Sequence, residues 1–158
     1  MTSSSLTSLQ ELLLDSVDDI LSEPITLDEK LFRICELLED AMPTFDWVGF
    51  YKVADDEPNT LVLGPYVGEP TDHVRIPFGK GICGQVAESH ETYVSQDVHA
   101  EDNYISCSIH VQSEIVVPIM KDGEFIAQLD IDSNTKNSIT TEQQELLEAI
   151  CDRLSDQF

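Results

Sequence analysis

The stretch SEIVVPIMKDGEFIAQLDIDS, residues 113–133, decides the fold. It holds two strongly β-prone runs around Lys121-Asp122-Gly123, where Asp-Gly turns the chain back on itself. A hairpin makes its sheet antiparallel at this point. DWVGFYKVAD (46–55) and TLVLGPYVG (60–68), separated by the turn residues DEPN, read as a second hairpin. HVRIPF (73–78) and TYVSQDV (92–98) are short strand candidates. Between them GKGICGQVAESH (79–90) begins with glycines and continues as a short helix. HAEDNYISCS (99–108) is polar and loop-like.

Helices flank this β-rich centre. In SLTSLQELLLDSVDDILSE (5–23), Leu6, Leu9, Leu12, Leu13, Val17, Ile20 and Leu21 share a helical face, with Ser5 or a nearby Ser/Thr as cap and Pro24 as the stop. TLDEKLFRICELLEDAMP (26–43) opens on Thr26 and Glu29, a capping box, and carries a stripe of Leu31, Ile34, Cys35, Leu38 and Met42 up to Pro43. TTEQQELLEAICDRLSDQF (140–158) closes the chain, capped by Thr140 or Thr141, with Leu146, Leu147, Ile150, Cys151 and Leu154 on one face. The expected architecture is α+β: a central, largely antiparallel sheet with the N-terminal pair and the C-terminal helix on one face. All of 1–158 reads as one domain.

The charge narrows the partners. There are 31 acidic against 8 basic residues, a net charge of −23. Nucleic acid and anionic membrane are repelled over most of such a surface. The acids are scattered, which fits a solvated surface and suits high salt, where screening relieves self-repulsion. The N-terminus lacks the basic region of a secretory signal and no apolar run is long enough to span a bilayer. A cytoplasmic protein with reduced thiols is the expectation. Against this acidic background, Arg75 and Lys80 stand out beside the glycine-rich turn.

The 4 cysteines are not alike. Cys35 and Cys151 sit on apolar helical stripes and read as buried small hydrophobes. Cys83 lies between Gly81 and Gly84 at a helix start, where the N-terminus and Lys80 would favour thiolate. Cys107, between Ser106 and Ser108 at the end of the polar loop, reads as an accessible thiol. His73, Cys83, His99, Cys107 and His110 are donor types for zinc, but they lack the short paired spacings of a zinc site, so no metal is expected. A transient Cys83–Cys107 disulfide remains open.

Asp130 and Asp132 are two apart in a strand and point to one face. That face is either solvated or part of a ring of acids inside a pocket that Glu114 joins from the neighbouring strand. Such a ring would bind an ammonium group, and a member with a raised pKa would donate a proton. Trp47 and Tyr51 have polar ends suited to the rim of such a pocket, and Phe50 suits either core or pocket.

Taken in order and spacing, DWVGFYKV, LVLGPYVGEP, RIPFGKGICGQVA, QDVHA, ISC, SEIVVPI and LDIDS resemble the free methionine-(R)-sulfoxide reductases, stand-alone GAF domains, over about residues 5 to 155. The resemblance implies a GAF-like fold with a ligand cavity on the sheet face away from the main helices, and a homodimer. It implies reduction of the R-sulfoxide of free methionine without a cofactor. Cys107 matches the nucleophile, becoming a sulfenic acid. Cys83 matches a resolving thiol, and a thioredoxin-type reductant restores both. Trp47, Tyr51, Glu114, Asp130 and Asp132 match the substrate pocket. One position departs: the family's usual first resolving cysteine is His73 here, so Cys83 or an external thiol must resolve Cys107. His73 reads as a surface replacement without a role, the alternative being a base or a group that lowers a thiol pKa, and His99 and His110 read as loop residues. A non-catalytic GAF module that binds a small ligand is the alternative.

Overall fold

The computed structural model describes residues 7–104 and 110–158. Helix α1 (Ser8–Leu21) is capped by Thr7, whose hydroxyl accepts from the Gln10 amide while the Gln10 side chain returns the bond to the Thr7 backbone. Such a reciprocal cap contributes about 1 kcal/mol. Helix α2 (Leu27–Ala41) starts at Thr26, which accepts from the Glu29 amide. The reciprocal half of that box is absent: the Glu29 carboxylate accepts from the Thr26 hydroxyl instead. Helix α4 (Thr141–Leu154) is capped by Thr140 with a complete box through Gln143. Both N-terminal helices end just before their prolines.

Strands β1 (Trp47–Val53) and β2 (Thr60–Val67) form the first hairpin; β5 (Ser113–Lys121) and β6 (Glu124–Ser133) form the second. The β5–β6 turn places Asp122 and Gly123 both at positive φ, 53° and 82°, the conformation for which Asp-Gly is suited. With β3 (Arg75–Pro77) and β4 (Tyr93–Ser95) they make a six-stranded sheet in the order β3-β2-β1-β6-β5-β4, every neighbouring pair antiparallel. The α+β expectation holds, with the two hairpins joined at the centre by β1 and β6.

The two sheet faces have different fillings. Val48, Phe50, Ile115, Val117, Leu129 and Ile131 point to one side and form the main core with α1, α2 and α4. There Leu31, Ile34, Cys35 and Leu38 of α2, and Leu146, Leu147, Ile150, Cys151 and Leu154 of α4, are buried as their spacing requires. On α1 the buried face is Gln10, Leu13, Leu14 and Val17, while Leu9 and Leu12 are 54% and 63% exposed. The expected seven-residue stripe was too wide: α1 packs against α2 and α4, and Leu9 and Leu12 stay outside that contact. Leu6 lies outside the described residues. Among the described residues no helix is long and apolar enough to cross a membrane.

The opposite face carries α3 (Gly81–Ser89) and a second cluster that includes Trp47, Tyr51, Ile82, Cys83, Val86 and Val116. Strand alternation brings the acids of β5 and β6 to this side.

Candidate functional site

The site grows from strand register. On the α3 side of the sheet, Trp47, Asp132, Glu114 and Ser95 lie side by side across β1, β6, β5 and β4. The next row is Gly49, Asp130, Val116 and Tyr93, and the next begins Tyr51, Gln128, Pro118. Glu114, Asp130 and Asp132 are therefore neighbours on one face, and they are buried, with exposures of 5%, 1% and 1%. The solvated-face alternative is excluded. All three carboxyls share this buried face, but of them only Glu114 and Asp130 line the small chamber beside Cys83.

Helix α3 closes over them. Its first turn carries Cys83, whose thiol donates to Asp130 Oδ2 at 3.3 Å. The ligand-type atoms of Cys83, Glu114 and Asp130 all lie within 4.8 Å of one another. No described histidine joins that set. The environment overturns the expected Cys83 thiolate. Burial, then the charges of Asp130 and Glu114, push this thiol well above its ordinary pKa. A helix N-terminus offers only a fractional positive charge, and it is outweighed by desolvation and several carboxyls. Burial also raises the Asp130 carboxyl, against the opposing contacts of Glu114 and Cys83. Burial thus favours the protonated forms of Cys83 and Asp130.

Tyr51 and Trp47 frame the carboxyls, but as buried walls and not as a wet rim. Tyr51 is fully buried and its hydroxyl donates to the His73 carbonyl at 2.8 Å. The Trp47 indole donates to the Glu69 carbonyl at 3.0 Å. Their polar ends are satisfied by backbone of the β2–β3 connection, which explains how two amphipathic aromatics reach the interior. Trp47 stacks on Tyr66 at 5.3 Å and on Tyr51 at 6.4 Å. Phe50 packs in the main core on the other face. Gly49 makes the Trp47 position possible: a methyl there would sit 2.4 Å from Cη2 of the indole.

Tyr51, His73, Ile76, Lys80, Cys83, Glu114 and Asp130 line a small chamber with Gly81 and Ile82. Its free space is about 10 Å³, close to one water. His73 is consequently not a bystander. Its backbone holds Tyr51 and the residue borders the thiol chamber, a role hidden in the sequence because the tie is made by a main-chain carbonyl. Lys80 is exposed and lines the same space, whereas Arg75 is drawn outward to Asp56 at 2.9 Å. His99 packs edge-on against Tyr104 at 6.2 Å. A larger open groove of about 420 Å³ is lined by His90, Pro118, Glu148 and Cys151. Burial pushes the Cys151 thiol up, as it does Cys35, and both pack in the main core on the sheet face opposite the carboxyl row. Cys107 lies outside the described residues.

Sequence reasoning also missed Asn103 and Gly49. Asn103 stands in a polar loop and looks generic, yet it bonds the turn that starts α3. Gly49 sits mid-strand, where a glycine is a signal of close approach.

Known proteins resemble this chain in sequence and fold. A GAF domain profile matches residues 24–156. The chain is 46% identical over 101 residues to Protein YtsP of Bacillus subtilis, covering 64% of this chain and 61%, less than two thirds, of that one. It is 37% identical over 118 residues to the free methionine-R-sulfoxide reductase of Escherichia coli, covering 75% of this chain and 69% of that enzyme. The crystal structure of the free methionine-R-sulfoxide reductase of Neisseria meningitidis, in complex with its substrate, superposes with a TM-score of 0.89 at 31% identity, covering 100% of this chain and 96% of that one. The antiparallel sheet with its flanking helices and these matches agree: the chain belongs to the free methionine-(R)-sulfoxide reductase family of GAF domains.

Proposed function

We propose that this chain reduces free methionine (R)-sulfoxide to methionine by thiol chemistry, with Cys107 as the nucleophile and Cys83 as the resolving thiol. The observation that carries the reading is the buried Cys83 thiol on Asp130, in a carboxyl row walled by Trp47 and Tyr51. An amino acid sulfoxide presents a cation, a polarised oxygen and an apolar methyl-bearing end. The carboxyl row suits the first two and the aromatic wall suits the third.

The chemistry balances in three steps. The Cys107 sulfur attacks the sulfoxide sulfur while a carboxyl protonates the oxygen. Oxygen passes to Cys107, which becomes a sulfenic acid as the substrate sulfur gains two electrons. The Cys83 thiol then displaces water from that sulfenic acid, forming a disulfide. A dithiol of the thioredoxin type returns two electrons and restores both cysteines. Asp130, with its carboxyl raised by burial, is suited to hold the proton for the first step. Glu114 and Asp132, directly opposed across β5 and β6, supply negative charge for the ammonium. Because the chamber has room for about one water, substrate access requires it to widen.

The same reading takes residues 1–158 as one GAF domain in a reducing cytoplasm, with no cofactor and no metal. A homodimer is part of the reading, and the exposed Leu9 and Leu12 of α1 offer apolar surface for it.

The test is turnover of the separate R and S epimers of free methionine sulfoxide, first with dithiothreitol and then with a thioredoxin system. Methionine forms from the R epimer alone. Binding without turnover under either reductant would leave a non-catalytic ligand-binding GAF module instead.

A further inference from the structure

The chain has 8 lysines and arginines against 31 acids, and nearly all of these cations are engaged. Arg33, Lys52, Arg75, Lys136 and Arg153 each meet a carboxylate. Lys30 donates to the Gln157 side chain and Lys121 to the backbone oxygen of Phe158. Lys80 is the exception: among the described residues its ammonium forms no ion pair, and its side chain makes no capping bond at the start of α3. An unpaired cation is unexpected on so acidic a surface.

The backbone of Lys80 is pinned beside the site. It stands between Gly79 and Gly81, which hold positive φ of 89° and 64°. Its amide donates to the Pro77 carbonyl at 3.1 Å, and its carbonyl accepts from the Gly84 amide at 2.9 Å. The Asn103 side chain donates to the Gly79 and Gly81 carbonyls on either side, each at 3.1 Å. Lys80 lines the same chamber as Cys83, Glu114 and Asp130, and among the described residues it is the only lysine or arginine that does.

The proposed substrate brings one group that the carboxyl row and the aromatic wall do not match. Its α-carboxylate carries a full negative charge into a space lined by Glu114 and Asp130, where like charges repel. That carboxylate sits on the carbon that bears the ammonium, so the group that receives it must stand beside the carboxyl row. An ammonium on a flexible stem suits it, and Lys80 is in that place.

We infer that Lys80 receives the α-carboxylate of the substrate and so makes the site specific for the free amino acid. The inference rests on the proposed reductase reading and deepens it. A row of carboxyls alone accepts any methionine sulfoxide with a free ammonium, including one at the N-terminus of a peptide. The ion pair with Lys80 adds a second condition, a free carboxylate on the same carbon. Lys80 takes no part in oxygen transfer, so its effect falls on substrate binding.

The test compares wild type, Lys80→Met and Lys80→Arg. Methionine removes the charge at similar length, and arginine keeps the charge. Isothermal titration calorimetry measures binding of methionine, the reaction product, and of methioninamide, which keeps the ammonium and replaces the carboxylate with a neutral amide. Lys80→Met weakens methionine binding by about tenfold or more, in the range for loss of a hydrogen bond between charged groups. Methioninamide stays within about twofold of wild type, because it makes no ion pair there to lose. Lys80→Arg, with its charge intact, recovers most of the methionine affinity. In turnover with dithiothreitol, Lys80→Met raises KM for free methionine (R)-sulfoxide with little change in kcat. It also loses the preference of wild type for that substrate over the (R)-sulfoxide of methionyl-glycine. Unchanged methionine binding in Lys80→Met overturns the inference. So does an equal loss for methionine and methioninamide, which reports a distorted site, and so does a wild type that binds no methionine. If wild type binds methionine but reduces no sulfoxide, the reductase reading fails, and the calorimetry still decides the role of Lys80.

Discussion

Replacing Gly49 with alanine would separate the aromatic wall from the rest of the site. An added methyl would lie 2.4 Å from Cη2 and 2.7 Å from Cζ3 of Trp47, and 2.7 Å from Cβ of Tyr66. Ordinary contact begins at 3.4 Å, so the indole must withdraw by 1.0 Å (3.4 − 2.4) and β2 must give by 0.7 Å (3.4 − 2.7). Trp47 cannot swing freely, because its indole is held to the Glu69 carbonyl and stacked on Tyr66. Overpacking of this kind costs about 1–3 kcal/mol, which for a domain of this size lowers Tm by about 2–12 °C. The effect on chemistry is larger than the effect on folding. An ångström of misplacement at a substrate wall lowers kcat/KM by up to about a hundredfold. The assay is a coupled thioredoxin measurement on the R epimer, alongside thermal melts and near-ultraviolet circular dichroism of the tryptophan. Gly64→Ala is the control: its methyl would meet the Phe50 carbonyl at 3.2 Å and no residue of the proposed pocket. Gly49→Ala with kcat/KM within twofold of wild type, in a folded protein, would refute Trp47 as a wall of the substrate site.

Other outcomes follow from the same face. Gln128 is fully buried and neither amide atom has a hydrogen-bond partner among the described residues. An unsatisfied buried group costs about 1–3 kcal/mol, so Gln128→Met, similar in length and apolar, raises stability to urea by about that much; a loss of stability would mean the amide is satisfied in solution. Asp130 has its folded pKa raised above the ordinary 3.8. The native state therefore keeps a proton that the unfolded chain has released, and its contribution is full below the unfolded value and lost as pH rises through the folded one. Relative to Asp130→Asn, wild type loses stability as pH increases from about 4, and parallel curves in pH-dependent melts would contradict the raised pKa. Removing the Asp130 charge also lowers the Cys83 thiol pKa, since that charge helps to push it up. Alkylation of Cys83 in Asp130→Asn therefore sets in at lower pH than in wild type.

Much of the fold is legible because helices and hairpins announce themselves locally. Thr140 with Gln143, the α2 and α4 stripes and the Asp122–Gly123 turn all depend on residues a few positions apart. The carboxyl row is legible for the same reason, since strand alternation puts Asp130 and Asp132 on one face and the hairpin brings Glu114 opposite Asp132. What escapes the sequence is three-dimensional. Whether that face meets water or α3 depends on a helix from elsewhere in the chain. The same burial reverses the local expectation of a Cys83 thiolate: helix position and Lys80 are visible in the sequence, and the desolvation and carboxylates that outweigh them are not. On α1, Leu9 and Leu12 fit the helical period as well as Leu14 does, and only packing against α2 and α4 chooses between them. The ties of Tyr51 to His73 and of Asn103 to Gly81 join residues 22 apart through backbone groups, and no side-chain pattern reports such a bond.

The central claim is that Cys107 takes oxygen from the substrate and Cys83 resolves it. It is tested most directly by steady-state turnover of free methionine (R)-sulfoxide in wild type, Cys107→Ser and Cys83→Ser, with thioredoxin as reductant and the S epimer as control. The account predicts turnover of the R epimer alone in wild type, none in Cys107→Ser, and in Cys83→Ser a methionine burst followed by slowed recycling. Undiminished turnover in Cys107→Ser, or an unchanged steady-state rate in Cys83→Ser, would contradict it.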